Sequence, residues 1–120
     1  RVIRFTGKVH NPHDYLAMAD VAIVPLTSGS GTRLKILDYL ATGVPVVSTR
    51  KGAEGLLVED STHLLLTKSV DDEFVRKVCD LRANPDRSRI LGQAGRSLVE
   101  QHYTWKRCAQ RLTQLYAELI

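Results

Sequence analysis

Val21-Ala22-Ile23-Val24-Pro25 is a continuous apolar run closed by proline, and Leu26-Thr27-Ser28-Gly29-Ser30-Gly31 follows as a loop. Thr32-Arg33-Leu34-Lys35-Ile36-Leu37-Asp38-Tyr39-Leu40-Ala41-Thr42-Gly43 then repeats apolar residues at helical spacing, before a second apolar run, Val44-Pro45-Val46-Val47-Ser48. The two short runs suit strands covered on both faces of a parallel sheet. Between them, Leu34, Leu37, Leu40 and Ala41 are expected to form one face of a helix that Gly43 stops. Strand, loop, helix and strand with short connections form a right-handed crossover unit.

The pattern extends in both directions. Val2–Phe5 is a β-rich run halted by Thr6-Gly7, and Asn11-Pro12 supplies a cap and a first-turn proline for a short helix through Tyr15, Leu16 and Met18. The order β-α-β-α-β predicts an α/β fold, a Rossmann-like parallel sheet flanked by helices. Leu64–Leu66 could add a strand. Beyond it the chain turns helical, in keeping with six of the eight glycines lying in its first sixty residues. Ser69 with Asp72 resembles a capping box for a helix bearing Phe74, Val75, Val78 and Leu81. Asn84-Pro85 opens another with Ile90, Leu91, Ala94, Leu98 and Val99. Thr104 could cap a third, whose stripe of Trp105, Cys108, Leu112, Leu115, Tyr116 and Leu119 is expected to pack against a core, its own domain's or another's.

The chain has 120 residues, 43% hydrophobic and 25% charged, which is the composition of one globular domain rather than of a disordered, collagen-like or disulfide-stapled chain. No apolar run reaches the length of a membrane span, and the opening residues lack a signal-peptide core. A cytoplasmic protein is therefore expected, with peripheral contact to the inner membrane face left open. Cys79 and Cys108 have no metal-ligand spacing and read as buried thiols. The net charge of +4, from 17 basic and 13 acidic residues, is dispersed over several helices with acids between, so no nucleic-acid partner is expected. The chain begins directly in a strand pattern without methionine, so a fragment of a longer protein is expected.

Ligands of open parallel sheets bind at the carboxyl ends of the strands, which makes the loop after Pro25 the leading candidate. Gly29 and Gly31 let the backbone approach a ligand, and the helix from Thr32 aims free N–H groups and its positive dipole end into the same space. Ser28, Ser30 and Thr32 add hydroxyls; Arg33 and Lys35 add cations. This set suits a diphosphate, although an ordinary Gly/Ser loop with a cap would look similar. Position 34 is leucine, so G-x-G-x-x-G fails, and no GxxxxGK[ST] exists. Asp38, one to two turns into the helix, could accept hydrogen bonds from a ribose diol, or could be a surface charge paired with Lys35 or Arg33. His10 and His13 lie in the loop after the first strand, and Glu54 stands between glycines after the third. Each could touch the ligand, though solvated loop positions are the plainer reading.

Taken together, Ala19–Leu26, Gly29–Tyr39 and Gly43–Thr49 resemble the donor-binding core of retaining GT-B glycosyltransferases, glycosyltransferase family four. Gly52-Ala53-Glu54-Gly55-Leu56, Tyr103-Thr104-Trp105 and Tyr116 resemble its later segments. The resemblance implies that residues 1–120 form a single, truncated nucleotide-sugar-binding Rossmann-like domain, the later part of the C-terminal half of a GT-B architecture, with a helical C-terminal segment. It also implies a separate N-terminal acceptor domain outside this chain, to which the final helix crosses back. Asp38 would contact the ribose, the backbone of Gly31 and Thr32 would hold the diphosphate, and Arg33 or Lys35 would support it. The family's first motif glutamate is replaced here by Ser28 or Ser30, as in a subgroup with a GTRLK-type loop. The implied substrate is a nucleotide-diphosphate sugar, with no cofactor and no metal, and a sugar or lipid-linked acceptor in polysaccharide or glycolipid synthesis. A non-catalytic nucleotide-binding or interaction module and a nucleotide-sugar epimerase are the alternatives. The isolated chain is expected to fold without turning over, and its oligomeric state is not specified.

Overall fold

The computed structural model describes residues 16, 18–27 and 33–119. The run Val2–Phe5, the Asn11-Pro12 helix start, His10, His13 and residues 28–32 lie outside these. Three parallel strands, β1 (Ala22–Val24), β2 (Val46–Thr49) and β3 (Leu65–Thr67), are ordered β1-β2-β3. Helix α1 (Arg33–Ala41) joins β1 to β2, and α2 (Asp72–Ala83), α3 (Pro85–His102) and α4 (Trp105–Leu119) follow β3. This is the α/β parallel sheet with a helical C-terminal segment that the periodicity predicts.

The pleat divides the core in two. Ala22, Val24, Val46 and Leu66 point to the side of α1, where they meet Ile36, Leu40 and Val44. Val47 and Leu65 point to the other side, against Phe74, Leu81 and Leu91. Ile23 shares that second face through its register with Val47, yet it is 47% exposed. Helix α2 lies over β2 and β3, so β1 is covered on one face only among the described residues. The expectation of a strand covered on both faces is corrected there.

The buried side of α1 also differs from the expected stripe. Ile36 and Leu40 are fully buried, four residues apart, whereas Leu34 is 76% exposed and Ala41 is exposed. Helix α3 packs beside α1 and, with the sheet, selects the Ile36–Leu40 side. Cys79, expected to be buried, is exposed. It lies about 140° around α2 from Phe74 at the helical 100° per residue, so it faces away from the sheet. The side chain of Cys108 lies outside the described residues.

The start of α2 is not the Ser69–Asp72 box. Asp71 is the cap: its Oδ1 accepts from the N–H groups of Glu73 at 3.0 Å and Phe74 at 3.4 Å. The Ser69 hydroxyl donates to Asp71 Oδ2 at 2.9 Å. That hydroxyl bond first, and the backbone N–H bonds after it, hold the Asp71 carboxyl below its ordinary value. A depressed folded-state pKa contributes stability above the ordinary carboxylate pKa and loses it as pH falls through the folded value. The Tm gap between wild type and Asp71→Ala should therefore be constant near neutrality and shrink below about pH 4. A gap that stays unchanged on acidification would exclude the ionised cap. Asn84 starts α3 as expected, its Oδ1 accepting from Arg87 N–H at 3.2 Å ahead of Pro85.

Of the stripe on α4, Leu112 and Leu115 are 55% exposed and Tyr116 64%, while the side chains of Trp105, Cys108 and Leu119 lie outside the described residues. Helix α4 does not pack extensively on any other described element.

Candidate functional site

Parallel strands bring the ends of β1 and β2 to one edge, and α1 begins at that same edge because it follows β1 directly. Two segments meet there, Pro25–Thr27 leaving β1 and the turns from Arg50 to Leu56 leaving β2. A cleft of about 280 Å³ opens beside them, lined by Ile23, Val24, Pro25, Leu26, Lys35 and Tyr39. The first turn of α1 carries no acidic residue, so nothing in that turn offsets the positive end of its dipole. Lys35 adds a formal cation on the cleft wall. Such an edge attracts an anion.

Asp38 is exposed and stands three residues after Lys35, so both occupy one side of α1. Its carboxylate is open to solvent. Tyr39 is half-buried, and burial, with the neighbouring Asp38 charge second, raises its phenol above the ordinary value. The phenol thus stays protonated and can donate at the cleft at neutral pH. Glu54 lies at the same edge, exposed, with its carboxylate 3.6 Å from Lys51 Nζ. The Arg33 backbone opens α1, its side chain being outside the described residues, as are Ser28, Gly29, Ser30, Gly31 and Thr32. Of the expected set, Lys35 lines the cleft, Asp38 lies further along α1 and Glu54 in the turns that follow β2.

Two residues of this edge carry no motif. Tyr39 reads from sequence as a helix residue of no special face, and Thr49 as the end of an apolar strand. Thr49 is 1% exposed, and its hydroxyl donates to the Leu26 carbonyl at 2.5 Å and accepts from Gly52 N–H at 3.1 Å. A polar residue closing the run Val46-Val47-Ser48 was the available signal.

The family profile of glycosyl transferases group 1 matches residues 1–84. The chain belongs to the glycosyl transferases group 1 family. A GDP-mannose-dependent alpha-(1-6)-phosphatidylinositol monomannoside mannosyltransferase of Mycolicibacterium smegmatis is 33% identical over 106 residues, covering 82% of this chain and 28% of that protein. A chitobiosyldiphosphodolichol beta-mannosyltransferase of Debaryomyces hansenii is 42% identical over 64 residues, covering 52% of this chain and 14% of that protein. The chain spans less than a third of the length of these curated relatives. Among solved structures, the C-terminal domain of a glycosyl transferase group 1 family protein from Francisella tularensis superposes with TM-score 0.73. It is 19% identical and covers 86% of this chain and 53% of that one, a likeness of fold. The glycosyl transferases group 1 membership and the GT-B C-terminal fold agree with the resemblance read from residues 19–49.

Proposed function

We propose that this chain is the donor-binding part of a glycosyltransferase that moves a hexose, mannose first among the candidates, from a nucleotide-diphosphate sugar to an acceptor with retention. The observation that carries the reading is the edge where α1 begins: a first turn without acids, Lys35 and Asp38 on one side, and a cleft at the strand ends. The diphosphate would lie on the backbone of Gly29–Thr32 with Arg33 and Lys35 as cations, so that charge developing on the leaving diphosphate meets fixed dipoles. Asp38 would accept from the ribose hydroxyls. Ser28, Glu54 and His10 would contact the sugar or acceptor. No metal is needed in this scheme, because helix and cations supply the positive charge.

The mannosyltransferase names of both relatives support mannose, and the phosphatidylinositol and dolichol in them support a lipid-linked acceptor at a membrane face. Among the described residues no helix is long and apolar enough to cross a membrane, so that contact would be peripheral. The acceptor would sit on an N-terminal domain, against which the exposed stripe of α4 would pack.

The test is calorimetric titration of the full-length protein with GDP, UDP and ADP, followed by transfer assays with GDP-mannose. Saturable binding of one nucleotide and an α-configured product are expected. No binding to any of the three would overturn the donor site, and a β-configured product would replace retention with inversion.

A further inference from the structure

We infer that Thr49 is a positioning residue that locks the loop leaving β1 to the loop leaving β2, so that both walls of the site move as one body. The inference builds on the donor-site reading above. Thr49 ends β2 opposite Thr67 of β3 and is almost fully buried, so water does not compete for its hydroxyl. That hydroxyl spans 23 positions of sequence: it donates to the carbonyl of Leu26, the residue leading into 28–32, and accepts from the N–H of Gly52, which leads to Glu54. The backbone of Thr49 adds to the clamp. Its carbonyl accepts from Ala53 N–H at 3.3 Å and from the Ser48 hydroxyl at 2.8 Å.

The second loop sits directly on the strand ends. A Cβ at Gly52 would stand 2.7 Å from Ser48 Oγ, 3.0 Å from Val24 Cγ1 and 3.4 Å from Thr49 Oγ1. Gly52 thus contacts both strands that launch the site loops. A hydroxyl at position 49 can hold Leu26 and Gly52 together because it donates and accepts at once. Valine, of the same shape, can do neither. Replacing it would leave the buried ends of both loops without their shared partner while keeping the packing.

The experiment compares Thr49→Val and Thr49→Ser in the full-length protein. Amide hydrogen exchange without ligand is followed in peptides from Leu26 to Lys35, from Arg50 to Val58 and, as a reference, from α3. In Thr49→Val, exchange is expected to rise about 10-fold in both loop peptides and to stay within about 2-fold in α3. Thr49→Ser should remain within about 3-fold of wild type throughout, since it restores the hydroxyl. GDP should bind about 10-fold more weakly to Thr49→Val and nearly as wild type to Thr49→Ser. Faster exchange in one loop alone, uniform acceleration across the molecule, or failure of serine to rescue would overturn the coupling. Should Thr49→Val not fold, Thr49→Ala serves instead: it removes the same hydroxyl, and exchange must still rise in both loop peptides and not in α3. If wild type binds no nucleotide, the donor reading falls, and the coupling is decided by exchange alone.

Discussion

Gly92→Ala is expected to destabilise the fold by about 3 kcal/mol or more, the upper end for forcing extra volume into a packed interior. A Cβ at position 92 would stand 2.0 Å from the carbonyl oxygen of Gly43 and 3.0 Å from its carbonyl carbon. Both are backbone atoms. No rotamer change relieves the contact, and Gly43 cannot swing its carbonyl away easily. It ends α1 at φ +82°, and two residues later the Pro45 carbonyl already accepts from Ala22 N–H at 2.9 Å. Helix α3 would have to retreat from α1, opening the packing around Leu91, Leu98 and Leu40. Gly95→Ala is the built-in comparison. Its Cβ would meet Leu40 Cδ2 at 2.7 Å, a rotatable end, and His63 O at 3.0 Å, so it should cost less. Thermal denaturation reads both. The Gly92→Ala loss corresponds to a Tm drop on the order of 10 °C for a domain of this size. A drop smaller than that of Gly95→Ala would contradict the contact between α3 and the end of α1.

Asp38→Ala is expected to weaken GDP binding about 10- to 100-fold, the range for removing a charged acceptor from two hydroxyl donors. Asp38 is exposed, so its truncation should change stability by no more than about 0.5 kcal/mol, and lost affinity would not be lost folding. Asp38→Asn keeps an acceptor without the charge and should fall between. Unchanged affinity in Asp38→Ala would remove Asp38 from the site and leave the diphosphate contacts to be tested separately.

Much of this architecture could be read along the chain because it depends on local rules. Pro25 ending an apolar run, Gly43 in the left-handed region after a helix, and Asn84-Pro85 ahead of another each act over a few residues. Their outcomes needed no knowledge of distant segments. The readings that changed depended on neighbours. Leu34 and Ile36 both fit an apolar helix face, and the choice between them followed from where α3 lies. Ser69 and Asp71 both offer an oxygen to α2, and the geometry made the carboxylate the cap and the hydroxyl its support. Cys79 has the composition of a core residue but the wrong angle around its helix.

The site divides in the same way. That Lys35 and Asp38 share one side of α1 was visible because spacing on one helix follows from sequence. Thr49 was not, since its meaning is a contact with Leu26 across 23 positions. By itself, the sequence determined the α/β order and the helix stops among the described residues, set by backbone preference and periodicity. The tertiary structure alone decided which faces are buried, that Leu112, Leu115 and Tyr116 of α4 stand exposed, and that one buried hydroxyl joins the two loops. Those outcomes arise from packing between segments far apart in the chain, where burial and hydrogen-bond partners are set by approach in space rather than by local propensity.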